Sequence, residues 1–184
     1  VLATYFAPTD PLIICNAGHP RPLLYRAARN TWELLDGKSP DAIATSRSEG
    51  ADVGIANLPL GILEPTDYQQ FAIRMEPGDL VILYTDALIE AAEVRGVGGR
   101  QLGESGLLAL ARGLSSSERE DAANELWRRV SAYAGGLPFN DDVTLVTLHH
   151  NAADPPRASW RGQAARFARM LGLGGVDSGP GLES

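Results

Sequence analysis

The apolar pattern is clearest at Leu80–Tyr84, where five consecutive residues are apolar. The run is too short for a typical helix and rich in β-forming residues, so it predicts a strand buried on both faces. Pro77 and Gly78 suit the central positions of a type II turn directly before it. Asp86 follows the strand and precedes a helix-like Ala-Leu-Ile-Glu sequence. A carboxylate is therefore expected where the buried strand leaves its sheet.

A second acidic stretch, Asn140-Asp141-Asp142, precedes a strand-like alternation of Val or Leu with Thr. If the two strands are antiparallel neighbours, the end of one lies beside the start of the other, and Asp86, Asp141 and Asp142 share one rim. Clustered carboxylates repel unless they are protonated, paired or metal-bound, and an all-oxygen set suits Mg²⁺ or Mn²⁺ rather than zinc. Each stretch alone also fits a simpler interpretation, a helix N-cap or a solvated turn.

Short β-like segments joined by turn residues make up most of the first half. Three of them predict an antiparallel meander, residues 1–7, 12–16 and 23–26, and residues 32–35 could continue it. Residues 68–75 alternate well enough to predict a strand that pairs with Leu80–Tyr84 in a hairpin across Pro77-Gly78. Residues 36–57 lack periodicity and predict a loop or flap.

Between the two acidic stretches, the apolar residues recur at helical spacing. Residues 103–113 predict a short helix, and Ser117 with Glu120 has the spacing of a capping box before a second, amphipathic helix. The second helix is expected to end at Gly135-Gly136. Its predicted apolar face comprises Ala122, Ala123, Leu126, Trp127, Val130, Tyr133 and Ala134. Both helices are expected to cover a sheet.

Composition narrows the class of protein. The 184 residues are 44% hydrophobic, which fits one soluble globular domain of ordinary size. A net charge of −7 argues against general nucleic-acid binding. Cys15 is the single cysteine, which excludes an internal disulfide and fits a reducing compartment. No apolar run reaches membrane-spanning length and no signal peptide is visible, so we expect a cytoplasmic location without stable membrane insertion.

The last part of the chain differs from the rest. Residues 151–184 carry arginines and apolar residues at helical spacing and end in Gly, Ser and Pro. A basic amphipathic helix could contact a membrane surface or an acidic partner, and a poorly ordered extension is the simpler alternative. We expect residues 1–150 to form one partial domain and residues 151–184 a flexible basic tail. Because the chain does not begin with Met, we interpret it as a piece of a longer protein.

His19 lies in the turn after the second predicted strand. Histidine is an acid–base group near neutral pH, so His19 could reach a phosphate or a metal-bound water. A turn histidine between Gly18 and Pro20 can equally have only a conformational role.

Four motifs occur in a characteristic order. They are Asn16-Ala-Gly-His19-Pro, Pro59-Leu-Gly-Ile62, Pro77-Gly-Asp-Leu with Leu83-Tyr-Thr-Asp86-Ala-Leu-Ile-Glu90, and Asp141-Asp142-Val-Thr144. Together they resemble the C-terminal part of PPM-type metal-dependent serine/threonine phosphatases. The resemblance is strongest to the bacterial branch typified by stage II sporulation protein E, and it covers roughly residues 1–150.

The resemblance implies an α+β fold, a four-layer α-β-β-α sandwich of two antiparallel sheets flanked by helices, N-terminally truncated here. It also implies a two-metal site for Mn²⁺ or Mg²⁺, at which an activated water attacks phosphoserine or phosphothreonine. Asp86 and Asp141 match the family's metal ligands, and Asp142 and Thr144 match supporting positions. By analogy with the branch, the substrate is a phosphorylated regulatory protein of the anti-sigma-antagonist type, and a sensor domain is expected upstream.

Two departures from the family pattern bear on activity. Ala87 replaces the usual Gly, which is mild if the backbone there is helical and strained if φ is positive. The family's Asp-x-Ser-Gly-His-Gly-like segment, which supplies the metal-bridging Asp, has no counterpart in this sequence and would lie upstream of Val1. We therefore expect a weak half-site, no phosphatase activity from this chain alone, and an open sheet edge at residues 1–7.

Two alternatives remain open. A non-catalytic remnant of the same fold that binds a partner is favoured by Ala87 and by the missing segment. Another carboxylate–metal hydrolase on a β-sandwich would need only the paired acidic motifs, and activity on phosphodiesters but not phosphoserine peptides would select it.

Overall fold

The computed structural model describes residues 1–7, 9–47, 58–62, 68–93 and 99–153. Eight strands lie in these ranges: β1 Leu2–Tyr5, β2 Pro11–Cys15, β3 Leu23–Arg26, β4 Thr31–Leu34, β5 Ala42–Arg47, β6 Gln69–Arg74, β7 Leu80–Tyr84 and β8 Leu145–His149. The α-helices there are α1 Ala87–Glu90, α2 Gly103–Arg112 and α3 Ala122–Tyr133, with 3₁₀ turns at Ala27–Arg29 and Glu118–Asp121. None of the helices in these ranges is long and apolar enough to cross a membrane.

The strands form two antiparallel four-stranded sheets. Sheet I has the order β1-β2-β6-β5, and sheet II has the order β4-β3-β7-β8. In sheet II, β7 and β8 are antiparallel neighbours, with Leu80 opposite His149 and Tyr84 opposite Leu145. The prediction that the two acid-bearing strands pair side by side is therefore confirmed, as is the α+β sandwich of two antiparallel sheets.

The predicted hairpin across Pro77-Gly78 is wrong. Strand β6 pairs with β2 and β5, whereas β7 pairs with β3 and β8. The turn itself forms as predicted. Gly78 has a φ of +87°, which is typical of the third residue of a type II turn. Its amide donates to the carbonyl of His150 at 2.8 Å, which ties the turn to sheet II. The chain thus passes from sheet I to sheet II at this turn, and strands that are adjacent in sequence end up in different layers.

The predicted meander fails at the same kind of crossing. β1 pairs with β2 and β3 pairs with β4, but β2 and β3 belong to different sheets. The predicted loop over residues 36–57 contains β5, which pairs with β6. Residues 48–57 lie outside the described part of the chain. As expected, β1 is an edge strand, and its Leu2 is 68% exposed.

Two apolar layers hold the sheets in place. The layer between the sheets contains Leu12, Ile14, Leu24, Phe71, Ile73 and Val81. The layer between sheet II and the helices contains Leu23, Trp32, Ile82, Leu107, Leu126 and Val130. Neighbouring residues of β7 enter opposite layers, so this strand is buried on both faces as predicted. The described α-helices pack on sheet II. The described residues include no α-helix that covers sheet I.

The capping box before α3 lies two residues earlier than predicted. The amide of Ser115 donates to Glu118 Oε2 at 2.6 Å, and the amide of Glu118 donates to Ser115 Oγ at 3.4 Å. Ser115–Glu118 and Ser117–Glu120 have the same sequence spacing, so spacing alone could not choose between them. Trp127 also differs from the prediction, since it is 45% exposed and lies off the buried helix face.

Candidate metal centre

Asp86 stands at the end of β7 and begins helix α1, where the sequence placed it. Its Oδ1 accepts a hydrogen bond from the amide of Ala87 at 3.1 Å, and its carbonyl accepts from Ile89 and Glu90. The side chain of Asp86 is exposed. Ala87 is the first helical residue and is buried, so its replacement of the family's glycine is the mild, helical case. One Asp86 oxygen thus bonds to the local backbone, while the side chain as a whole is exposed.

Asp141 and Asp142 precede β8, separated from it by Val143 and Thr144, and lie beside the end of β7. The Oδ1 of Asp141 accepts from the amide of Asp142 at 2.7 Å, and both side chains are exposed. Asp86, Asp141 and Asp142 are here called the acidic rim. Within the described ranges none of the three forms an ion pair or a hydrogen bond to a side chain of another residue. The three carboxylates therefore lie on one rim, and no cationic side chain among the described residues neutralises them.

Thr85 joins the two acidic segments, a contact that the sequence reasoning missed. Its backbone amide donates to the carbonyl of Thr144 at 3.1 Å, which continues the β7–β8 pairing by one residue. Its hydroxyl donates to the carbonyl of Asp142 at 3.0 Å and accepts from the amide of Thr144 at 3.0 Å. A hydroxyl residue at a strand exit, directly before an aspartate, is the sequence signal that could have indicated this contact.

The loop that contains His19 connects β2 to β3 at the same end of the sandwich. Asn16 closes the turn, since its Nδ2 donates to the carbonyl of His19 at 2.7 Å and its Oδ1 accepts from the His19 amide at 3.0 Å. Gly18 has a φ of +78°, and a Cβ there would lie 2.5 Å from the ring of Pro59. The first two motifs therefore pack together. The His19 ring is exposed, and its Nδ1 lies 2.9 Å from the amino group of Val1.

A separate ion-pair cluster borders this loop. Arg21 Nε donates to Glu104 Oε2 at 2.9 Å, and Arg21 Nη1 lies 3.4 Å from Asp36 Oδ2. The bond to Glu104 is the main reason that the pKa of Arg21 is raised. The Tyr84 hydroxyl donates to the Arg21 carbonyl at 2.8 Å, and burial raises the pKa of that phenol. The Tyr84 hydroxyl thus holds the Arg21 backbone to β7, while the Arg21 guanidinium pairs with Glu104 and Asp36.

A small pocket opens beside the acidic rim. It has a volume of about 120 Å³ and lies between α1 and the segment leading to Asp141. Glu90 and Asp141 contribute carboxylates to its lining, while Ala87, Ala91 and Phe139 contribute apolar surface. The pocket is therefore a recess beside the acidic rim, lined by both carboxylate and apolar side chains.

The acidic rim fits a hard divalent cation in its donor chemistry and is incomplete in ligand number. Carboxylate oxygens are ligands that Mg²⁺ and Mn²⁺ accept, and the two predicted ligands Asp86 and Asp141 lie at adjoining ends of paired strands. In the ranges that the structure describes, no group of three or more His, Cys, Asp or Glu residues could hold a metal ion. The described residues thus offer part of a site.

A second carboxylate on β7 behaves quite differently. Asp79 precedes the strand and is fully buried, with its Oδ2 accepting from Arg26 Nη1 at 2.6 Å and from the Glu76 amide at 2.9 Å. Its Oδ1 accepts from the Ala27 amide at 2.9 Å. Arg26 also donates to Asp41, which in turn pairs with Arg29. These side chains, Arg26, Arg29, Asp41 and Asp79, are here called the buried ion-pair network, and they lie at the opposite end of β7.

Comparison with solved structures defines the class of fold. The chain superimposes on the phosphatase domain of the cell fate determinant SpoIIE from Bacillus subtilis with a TM-score of 0.55 and 14% identity, covering 85% of this chain and 60% of that one. It matches the RsbU and RsbW domains of a Mycobacterium tuberculosis protein with a TM-score of 0.55 and 22% identity, covering 91% and 41%. These similarities show the fold shared with the bacterial phosphatase domains.

A family model identifies the family within that fold. The model for stage II sporulation protein E (SpoIIE) matches residues 40–151, which is more than half of the chain. The chain therefore belongs to the SpoIIE family, and the resemblance in the sequence motifs is confirmed. No curated protein sequence matches the chain. The chain spans 60% of the length of the Bacillus subtilis phosphatase domain.

Proposed function

We propose that the protein carrying this chain is a metal-dependent phosphoserine/phosphothreonine protein phosphatase of bacterial signalling. The observation that carries the proposal is the juxtaposition of Asp86 and Asp141 at adjoining ends of β7 and β8, with both carboxylates exposed and unneutralised by described residues. Membership of the SpoIIE family supports the reaction class. One of the fold's relatives was studied after presoaking with Mn, which supports a divalent cation of that kind.

The residues have distinct roles in this proposal. Asp86 and Asp141 would hold Mn²⁺ or Mg²⁺, and Asp142 and Thr144 would support the geometry of the second acidic segment. When bound, such a cation supplies Lewis-acid polarisation of the phosphoryl oxygens and a more acidic water. The chain's own contribution is to orient its carboxylates through the amides of Ala87 and Asp142. His19 lies in a loop at the same end and is the third supporting residue of this proposal.

We propose further that this chain alone forms half of the site and does not turn over substrate. The acidic rim supplies two predicted ligands, and a two-metal centre needs more. We assign residues 1–150 to the partial phosphatase domain and residues 151–184 to a basic tail, and the substrate to a phosphorylated regulatory protein of the anti-sigma-antagonist type. The RsbU and RsbW domains that occur together in the Mycobacterium tuberculosis protein support a signalling context.

The test is a phosphate-release assay on the intact protein that carries this chain. A phosphoserine peptide is offered with and without Mn²⁺, alongside a phosphodiester, and Asp86→Asn and Asp141→Asn are compared with the unchanged protein. Glu76→Gln is the matched control, because Glu76 is an exposed carboxylate in the turn between β6 and β7, away from the acidic rim. We expect Mn²⁺-dependent release from phosphoserine, its loss in both aspartate variants, and no loss in the control.

The other outcomes separate the alternatives. Turnover of the phosphodiester without turnover of phosphoserine would favour a different carboxylate–metal hydrolase. No turnover of either substrate by the intact folded protein would favour the partner-binding module, which keeps the sandwich and lacks a complete ligand set. Turnover that survives Asp86→Asn and Asp141→Asn would contradict the proposed ligands.

A further inference from the structure

We infer that Thr85 is the positioning residue that holds the two acidic segments of the rim in one geometry. The inference rests on the proposed function, since it concerns how the candidate ligands Asp86 and Asp141 are aligned. Its basis is a single hydroxyl that contacts the second acidic segment twice while its own backbone begins the helix that Asp86 caps.

Thr85 sits where the sheet changes into a helix. At a hydrogen-bonded position of a regular antiparallel pair, the two opposite residues exchange both of their backbone hydrogen bonds, and the next position exchanges none. Here the Thr85 amide does donate to the Thr144 carbonyl, but the Thr144 amide donates to the Thr85 hydroxyl instead of the Thr85 carbonyl. The Thr85 carbonyl accepts from the Leu88 amide at 3.2 Å, inside the first turn of α1. The hydroxyl thus takes the place of the carbonyl in the ladder and leaves that carbonyl to the helix.

The same hydroxyl reaches one residue further into the acidic segment. Its proton goes to the Asp142 carbonyl at 3.0 Å, and its lone pair accepts from Thr144 at the same distance. A hydroxyl carries one donor and two acceptor lone pairs, so both contacts can be made at once. The backbone between Asp141 and Thr144 is therefore held against the exit of β7, directly next to Asp86.

The side chains of the acidic segment do not provide this link themselves. The Oδ1 of Asp141 bonds to the Asp142 amide within its own turn, and that of Asp86 bonds to the Ala87 amide. Each carboxylate is thus oriented within its own segment. Among the described residues, the two hydrogen bonds of the Thr85 hydroxyl are the only contacts beyond the strand ladder that join one acidic segment to the other. Loss of the hydroxyl would leave each aspartate well oriented on its own segment and would loosen their relative placement.

Three variants of the intact protein test the role. Thr85→Val removes the hydroxyl and keeps the shape, Thr85→Ser keeps the hydroxyl, and Thr147→Val makes the same exchange at an exposed threonine of β8. The readouts are the affinity for Mn²⁺ alone, by calorimetric titration, and the hydrogen-exchange rate of the Thr144 amide by NMR. For Thr85→Val we expect an affinity roughly 10- to 100-fold weaker, as for other outer-shell partners of metal ligands, and faster exchange. Thr85→Ser and Thr147→Val should both resemble the unchanged protein.

Each result decides one question. Wild-type Mn²⁺ affinity in Thr85→Val, or equal weakening in Thr85→Val and Thr85→Ser, would overturn the positioning role and leave the proposed function in place. If the unchanged protein binds no Mn²⁺, the proposed function fails and the positioning role fails with it. If Thr85→Val does not fold, Thr85→Ser still decides: weakened Mn²⁺ binding in that folded variant would contradict a role for the hydroxyl.

Discussion

Strand β7 carries an aspartate at each end, and the two side chains have opposite environments. Asp79 before the strand is fully buried and accepts three hydrogen bonds, one of them from the guanidinium of Arg26. Asp86 after the strand is exposed and bonds only to the amide of the next residue among the described contacts. The two positions are roughly 23 Å apart, given about 3.3 Å per residue of strand.

The difference separates a carboxylate that builds the fold from one that the fold leaves available. A buried carboxylate must be paired and hydrogen-bonded, because its desolvation would otherwise cost several kcal/mol. Asp79 meets that condition through protein groups alone. The acidic rim has no comparable partner among the described residues.

The largest expected effect is on activity. Asp86→Asn should abolish Mn²⁺-dependent turnover of the intact protein, a loss greater than the roughly 10- to 100-fold cost of removing an outer-shell partner. Its free energy of unfolding should change by no more than about 0.5 kcal/mol, since the site is exposed and Asn caps helices as well as Asp. Parallel activity and denaturation measurements check both parts. Loss of folding in this variant would make Asp86 a structural carboxylate.

At the other end of β7 the expected effect is on stability. Asp79→Ala should lower the free energy of unfolding by about 3–5 kcal/mol, because it leaves the buried Arg26 guanidinium without one of its partners. Urea denaturation measures the change, with Asp86→Ala as the matched exposed variant. Equal stability of Asp79→Ala and Asp86→Ala would remove the distinction between the two ends.

Glu33 on β4 lies near Asp41 of the buried ion-pair network and, unlike Asp79, has a buried oxygen that no described group pairs. Its Oε1 is buried and has no hydrogen-bond partner among the described residues, and burial, followed by the charge of Asp41, raises its pKa. A carboxyl whose pKa is raised in the folded state stabilises below its unfolded pKa, near 4.5, and that stability is lost as the pH rises through the folded value. Glu33→Gln removes the loss and should raise Tm at pH 7, measured by thermal denaturation. An unchanged or lower Tm would contradict this explanation.

The smallest effect is expected at Glu118, an exposed carboxylate that the fold does use. Hydrogen bonds from the Ser115 hydroxyl and amide, then from Arg129, lower the pKa of Glu118 to about 2. A lowered pKa contributes stability above the unfolded value of 4.5, which is lost as the pH falls toward 2. Glu118→Gln should therefore be slightly less stable at pH 7 and show a flatter decline of Tm between pH 4.5 and pH 2. Glu120→Gln, with no such bonds among the described contacts, is the control.

Local chemistry made several features predictable. The apolar run of β7 is too short for a typical helix and rich in β-forming residues, which favoured a buried strand, and the spacing of apolar residues in 103–113 favoured a helix. The acidic rim followed from one further assumption, that β7 and β8 pair antiparallel, and the pairing is confirmed. The roles of Asp86 and Asp141 as ligands, and of His19, Asp142 and Thr144 as supporting residues, stay predictions until the variants are measured.

The two errors of strand pairing share a physical cause. A Pro-Gly turn determines that the chain reverses, but a reversal within one sheet and a crossing between two stacked sheets begin with the same turn. The Pro77-Gly78 hairpin and the break between β2 and β3 were wrong for this reason. The capping box was wrong because two serines had equal spacing to a glutamate.

The sequence by itself determined the elements, the family motifs and the carboxylates at the end of one strand and the start of another, because these depend on residue type and short-range spacing. Only the tertiary structure decided which sheet each strand joined, which aspartate of β7 would be neutralised by Arg26, and that the Thr85 hydroxyl would bind the Asp142 segment. Those outcomes depend on residues more than 50 positions apart meeting in space. Desolvation and hydrogen bonding set them only after the layers have packed.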